Sequence, residues 1–381
     1  MRILALHGMG TSGPIFESQT SSFRARLPKP APHSFTFPSA PFPSPPAPGI
    51  DIIYPPSENT YHSFYIQMNS ATAVQAACHW LDEYLETHGP FDALMGFSQG
   101  CALIGSWLLY RLDEAKEEDE KRRKEDEEAE REIARAMSRV GVGSSVGGEE
   151  EDEGAVAANG SKTNGTRKLN INLPVKAALF ICGGPVLPVL SDLGVPVSPE
   201  AEKTHKLTVQ LLKSKAGKLV DIASGSEGRA AVGWTPGSGL WDKVEDLVHD
   251  MPPDCDFNSG TSTSTSPTPR IELSRPGEDG KNGDKKGGDE DSSGKKKDEN
   301  TFFGLNLSPD VLGHLQIPIP TAHIYGIKDP RYPASIQLAH LCDPKRRQMF
   351  DHGGGHDIPR SSAVSIRIAE LLGWLEGEIK S

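Results

Sequence analysis

The stretch that most constrains this chain is Phe91 to Leu112, FDALMGFSQGCALIGSWLLYRL. A short apolar run enters a sharp turn, and a longer apolar run of helical character leaves it. Gly96-Phe97-Ser98-Gln99-Gly100 at the turn fits the pattern G-x-S-x-G. A nucleophilic serine must stand clear of its backbone, with Oγ above the edge of a sheet. Such a turn is strained, so the residues two places to either side must be tiny; Gly96 and Gly100 meet that demand. A helix beginning at Ser98 also aims the positive end of its dipole at an oxyanion formed there. The bland alternative is an ordinary turn serine. The strand-like run before the motif and the helix-like run after it supply the context the nucleophile reading requires.

Two stretches of the 381-residue chain cannot belong to a core. Asp113 to Lys168 opens with DEAKEEDEKRRKEDEEAEREIARAM, where opposite charges at i,i+4 can extend a solvated helix. It continues as Gly/Ser/acidic sequence with the disorder signature. The second, Cys255 to Asn300, is low-complexity Ser/Thr/Gly/Lys/Asp sequence. Removing both leaves about 275 residues, enough for one large α/β domain built from 1–112, 169–254 and 301–381. The net charge of -12 is concentrated in these insertions and defines no binding face. The basic cluster Lys121 to Lys124 is flanked by acids and reads as a solvated helix face. No basic stripe interleaved with aromatics suggests nucleic acid. Sequons at Asn159 and Asn164 carry no weight without a secretory signal.

The five cysteines are scattered and odd in number, and four lie in apolar surroundings. This predicts buried, reduced thiols and a cytoplasmic or nuclear setting, without a disulfide framework or a zinc knuckle. MRILALHGMG has no long apolar core of a signal peptide and reads as a strand of the mature fold. No apolar run approaches membrane-spanning length.

Buried-type strands are expected at Arg2–Leu6, Val175–Cys182 and Thr321–Tyr325, with shorter ones at Ser34–Phe37 and Arg346–Phe350. Helices are expected over Ile15–Leu27, Asn69–His88, Ala201–Lys213, Trp241–His249, Ser335–Leu341 and Ala363–Ile379. The Pro-rich FPSAPFPSPPAPGIDIIYPP reads as an extended loop, either a pocket wall or a strap pinned by its aromatics. Strands alternating with helices predict a mostly parallel sheet covered on both faces.

His7-Gly8-Met9-Gly10 follows the first strand. It lacks the spacing of G-x-G-x-x-G and the Lys of a P-loop. It reads as a loop that brings the Met9 N–H beside the Gln99 N–H as an oxyanion hole, the alternative being a plain tight turn. Asp329 and His356 each fall in a loop after a strand, as Ser98 does. The order nucleophile, acid, base is that of α/β-hydrolases. Glycines 353 to 355 let the chain approach the serine closely. His352 is the rival base; Asp351 and Asp357 are the rival acids, each close in sequence to His356. Three glycines between His352 and His356 form no helix to align a metal pair.

Four segments together, LALHGMGTSGPIFESQT, GFSQGCAL, PTAHIYGIKDP and HGGGHDIP, resemble the FSH family of serine hydrolases, an α/β-hydrolase group common in fungi. The resemblance covers most of the chain outside the insertions. It implies an α/β-hydrolase fold, with Ser98 as nucleophile, Asp329 as acid, His356 as base and no cofactor. It implies esterase or thioesterase activity on small-molecule acyl substrates, free or carrier-bound; some fungal relatives release finished chains from polyketide synthases. The charged insertion and the long excursion after Gly184 depart from a compact family member but interrupt no catalytic motif. The reading from another class is a non-catalytic interaction protein that uses the fold as a platform and the charged helix as its contact.

Overall fold

The computed structural model describes residues 1–28, 33–67, 70–140, 173–224 and 299–381, and the side chains of all of these except 137–140 and 215–224. The sequons, the helix expected over Trp241–His249 and nearly all of the 255–300 stretch lie outside the described residues.

The strands are β1 (Arg2–Leu6), β2 (Ser34–Thr36), β3 (Phe42–Pro43), β4 (His62–Ser63), β5 (Ala93–Phe97), β6 (Ala177–Ile181), β7 (Thr301–Phe302), β8 (Leu305–Asn306), β9 (Thr321–Tyr325) and β10 (Arg347–Asp351). Six of them form one sheet in the order β10-β9-β6-β5-β1-β2, and every pairing in it is parallel. The apolar runs explain this. A parallel strand covered on both faces is hydrophobic at every position, and each residue of β5 and of β6 is buried.

Alternation along the strands divides the core into two layers. Leu4, Leu94, Ala178 and Phe180 face one layer. Ile3, Ala5, Met95, Leu179, Ile181 and Ile324 face the other. The helices, in chain order, are α1 (Gly13–Gln19), α2 (Ser21–Arg24), α3 (Ile50–Ile53), α4 (Ala71–His88), α5 (Gln99–Val140), α6 (Leu187–Asp192), α7 (Pro199–Ser224), α8 (Pro309–Leu312), α9 (Tyr332–His340) and α10 (Ser362–Lys380). Apolar side chains of α4, α5, α6 and α9 fill the first layer. Phe16 of α1, Phe23 of α2 and Ile368, Leu371, Leu372 and Leu375 of α10 fill the second. This is the α/β-hydrolase fold class expected, with a sheet that is wholly rather than mostly parallel.

Four local readings need correction. The single helix expected over Ile15–Leu27 is two, α1 and α2, because Thr20 turns its hydroxyl back onto the Phe16 carbonyl at 2.9 Å and the chain kinks there. The helix expected from Asn69 begins at Ala71, where the Ser70 side chain accepts from the Ala73 N–H. The helix expected over Ala201–Lys213 runs from Pro199 to Ser224. The Pro-rich loop holds a short strand and one helical turn, β3 and α3, and β3 pairs antiparallel with β4. The charged stretch after Leu112 does continue the helix, as far as Val140.

Near its start α5 is tied to α4. The indole of Trp107, 1% exposed, donates to Asp82 Oδ1 at 2.6 Å, and Arg111 pairs with the same carboxylate. A buried aromatic with its one polar atom satisfied is a firm anchor.

Candidate active site

The turn after β5 is as tight as its sequence demands. Ser98 has φ of 50°, a left-handed conformation rare for a residue with a side chain. Its N–H donates to the Ile181 carbonyl of the neighbouring strand at 3.0 Å. A Cβ at Gly96 would lie 2.6 Å from Cys101 N, and one at Gly100 would lie 2.1 Å from the Leu6 carbonyl oxygen. Both glycines are therefore fixed by backbone contact, and the strain at Ser98 is held by the strands around it.

Ser98, Asp329 and His356 follow β5, β9 and β10, all at the carboxyl edge of the parallel sheet, where loops of such sheets gather their ligands. His356 Nε2 lies 2.9 Å from Ser98 Oγ, and His356 Nδ1 lies 2.8 Å from Asp329 Oδ2. Nδ1 must carry the proton to reach a carboxylate, which leaves Nε2 free to accept from the serine hydroxyl. The Asp329 side chain is fully buried; its other oxygen accepts from the Arg331 N–H at 2.7 Å.

The rival groups sit elsewhere. His352 Nδ1 accepts from the Gly354 N–H, and its Nε2 is 3.5 Å from Cys182 Sγ. Asp351 Oδ1 accepts from the Ile327 and Gly353 N–H groups and so braces two loops. Asp357 lies against Gly354. The glycine run serves the acid loop more directly than the serine: a Cβ at Gly326 would lie 2.1 Å from the Gly354 carbonyl oxygen, and Lys328 N donates to that same oxygen.

The loop after β1 abuts the elbow. A Cβ at Gly8 would come within 3.4 Å of Ser98 Cβ, so Met9 follows at the mouth of the site, 45% exposed. His7 builds this loop. Its Nε2 accepts from the Ala40 N–H, so Nδ1 carries the proton and donates to the Gly8 carbonyl at 2.7 Å, where the Thr11 hydroxyl also donates. Burial pushes the His7 pKa down to about 4 and keeps the ring neutral. Gln99, first residue of α5, fastens the next segment. Its side-chain oxygen accepts from Phe64 N–H at 3.0 Å and its NH₂ donates to the Tyr65 carbonyl at 2.8 Å.

Sequence reasoning missed Cys182. It ends β6 beside the elbow strand, and that adjacency was the available signal. Its Sγ lies with the ligand atoms of Asp329 and His356 within 4.8 Å of one another. Burial first, then the Asp329 charge, pushes its thiol well above the usual range, so it stays neutral beneath the site. A thiophilic metal could bridge these three atoms only by taking the ones that bind His356 to Asp329 and Ser98. The other described cysteines, Cys78, Cys101 and Cys342, are buried and unpaired with one another. Among the described residues no helix is long and apolar enough to cross a membrane.

The profile of a family described as Serine hydrolase (FSH1) matches residues 1–129 and 293–368, more than half of the chain. An esterase of Fusarium mangiferae, Esterase FPY3, is 41% identical over 103 residues, 27% of this chain and 46% of that protein. Family of serine hydrolases 2 of Saccharomyces cerevisiae is 32% identical over 114 residues, 27% of this chain and 51% of that protein. The chain thus spans about half the length of the curated relatives it matches. The crystal structure of SOBER1 from Arabidopsis thaliana aligns with 27% identity over 29% of this chain and 54% of that one, with a TM-score of 0.20 that supports no argument.

Proposed function

The chain belongs to the FSH1 serine hydrolase family, and on that premise we propose that it hydrolyses carboxylic esters or thioesters through Ser98, His356 and Asp329. The observation that carries the reading is the unbroken hydrogen-bond series from Ser98 Oγ through His356 to Asp329, at 2.9 and 2.8 Å. The relatives named as esterases support it.

His356 Nε2 takes the hydroxyl proton as Ser98 Oγ attacks the acyl carbon. The carbonyl oxygen becomes an oxyanion, received by the N–H groups of Met9 and Gln99 and by the helix start behind Gln99. Removing one oxyanion donor typically costs 10²–10³ in kcat. His356 then gives its proton to the departing alcohol or thiol, leaving an acyl-serine. Water repeats the sequence with His356 as base and frees the acid. Asp329 keeps the imidazole in the tautomer with its proton on Nδ1 and steadies the imidazolium that forms.

The relatives named as esterases support ester hydrolysis alone; we extend it to small acyl substrates of secondary metabolism, free or as carrier-bound thioesters. A fluorophosphonate probe tests the core of the reading. It should label folded protein once, at Ser98, as located by mass spectrometry of the peptides. Labelling elsewhere, or none, would favour the interaction-platform reading.

A further inference from the structure

Arg331 is a cation beside the proposed triad whose side chain enters no ion pair or hydrogen bond among the described residues. It immediately precedes α9, two residues after Asp329, and its backbone N–H donates to Asp329 Oδ1. The Asp329 carboxylate is thereby occupied on both oxygens, by this N–H and by His356. Among the described residues the Arg331 guanidinium enters no ion pair, and its Nε is buried without a hydrogen-bond partner. The buried Nε–H is the part of this cation that lacks an acceptor, and an anion would supply one.

The surroundings are built to receive one. Tyr65, whose carbonyl Gln99 holds beside the nucleophile, lies within reach of the Arg331 charge. Tyr65 is 1% exposed, and its hydroxyl has no hydrogen-bond partner. Ser335 lies one helical turn beyond Arg331, its N–H donating to the Arg331 carbonyl, and its buried hydroxyl is also without a partner. Residues four apart share a helix face. Two orphan hydroxyls and an orphan guanidinium edge thus border one region.

That region adjoins Ser98. The Tyr65 carbonyl is held by Gln99, next to the nucleophile. A Cβ at Gly183 would meet Cys101 at 1.9 Å and the Ser98 carbonyl oxygen at 3.2 Å, and one at Gly184 would meet Ala334 of α9 at 2.3 Å. The two glycines therefore let the start of α9 close against the first turn of α5.

We propose that Arg331, with the hydroxyls of Tyr65 and Ser335, forms an anion-binding subsite beside Ser98, so that the preferred ester or thioester carries a carboxylate or phosphate group near the scissile carbonyl. This rests on the hydrolase reading above and narrows its substrate class. A guanidinium binds planar or tetrahedral oxyanions by paired, charge-assisted hydrogen bonds. Hydroxyl donors at the rim set the position of the anion.

The test compares p-nitrophenyl hemiesters of succinate, glutarate and adipate with neutral p-nitrophenyl esters of matched length. At least one hemiester should exceed its neutral partner about tenfold in kcat/KM, equivalent to about 1.4 kcal/mol. Arg331→Met should lower that ratio at least tenfold, Arg331→Lys should keep part of it, and Tyr65→Phe and Ser335→Ala should each lower it severalfold. The ratio is taken within one preparation, so a partly misfolded variant does not distort it. Titration calorimetry with glutarate and with inorganic phosphate separates the two anion classes, and the stronger ligand should lose its binding in Arg331→Met. Neutral esters equal to or better than every hemiester, or a ratio unmoved by Arg331→Met, would overturn the subsite while leaving the hydrolase standing. Absence of Ser98 labelling and of all ester hydrolysis would overturn the hydrolase, while calorimetry would still decide the anion site.

Discussion

Helix α5 is one element with two kinds of support. From Gln99 to Leu112 nearly every residue is buried, and Leu103, Ile104, Leu108 and Leu112 sit in the core at 0% exposure. From Asp113 onward the helix becomes solvent-exposed, and from Glu120 to Ala136 every residue is exposed and none belongs to the core. At 1.5 Å per residue the outer part is about 40 Å long. Lys116–Glu120 and Glu127–Arg131 pair at i,i+4, and Asp119–Arg122 at i,i+3. Such pairs contribute about 0.2–0.5 kcal/mol each. The inner half is helical because the sheet needs a cover; the outer half is helical through propensity and charge pairing alone. One continuous spiral therefore joins a segment packed in the core beside Ser98 to one that is held by no core contact.

The sharpest way to break this contrast is in turnover. Ser98→Ala should reduce hydrolysis of a short p-nitrophenyl ester by about 10⁴-fold or more. His356→Ala should do likewise, and Asp329→Asn should cost on the order of 10⁴-fold through the wrong tautomer, while His352→Ala keeps most of the rate. Replacing Glu117 to Thr166 by a short Gly/Ser linker should leave the rate within about threefold, since Glu117 to Ala136 place no side chain in the core or against the candidate triad. A folded deletion that loses the activity would make the outer half part of the site.

Stability offers the next contrast. Trp107→Ala should cost about 3–5 kcal/mol, as expected for a fully packed aromatic. Arg131→Ala should cost less than about 0.5 kcal/mol. Urea denaturation of the two variants checks both, and equal losses would mean that the outer half packs on something.

Acid should act on the buried region first. His7 has a folded pKa of about 4 against an ordinary 6.5. Between these values the unfolded chain binds the extra proton, so stability falls as pH drops through that window. At about 1.4 kcal/mol per pH unit the loss is roughly 3 kcal/mol for this group. His7→Gln, neutral at every pH, should flatten that part of the stability profile measured by denaturation at pH 7, 5.5 and 4. An unchanged profile would show that His7 binds its proton equally well in the folded and unfolded chains.

Salt should produce the smallest effect. One molar NaCl screens exposed pairs and spares packed ones, so it should lower helical circular dichroism slightly and leave the thermal midpoint within about 1 °C. A large drop in the midpoint would mean that the charge pairs support the core.

The core strands, and the strand-end positions of the candidate residues Ser98, Asp329 and His356, were legible because their signals are local. Buried parallel strands are short apolar runs, and the elbow glycines are forced by the turn itself. The less legible parts depend on distant partners. The Pro-rich segment from 38 to 65 is shaped by Ala40 N–H on His7, Ala47 N–H on Gly10 and the clamp of Gln99 on Phe64 and Tyr65. No pattern within that segment announces them. The break at Thr20 turns on a single side-chain hydrogen bond. Cys182 and Arg331 gain their meaning from neighbours far away in sequence, Cys182 from His352 and Arg331 from Tyr65.

The arrangement of the sheet also sets a timetable. Ser98 on its central strand and His356 after its edge strand are 258 residues apart. A ribosome adding roughly 5–20 residues per second takes on the order of tens of seconds to travel that distance. For that interval the nascent chain holds the serine without base or acid, and an unassisted hydroxyl is a weak nucleophile at neutral pH. On the proposed triad, the reactive centre is complete only after β9 and β10 have joined the sheet, and the unfinished polypeptide should leave acyl compounds around it untouched.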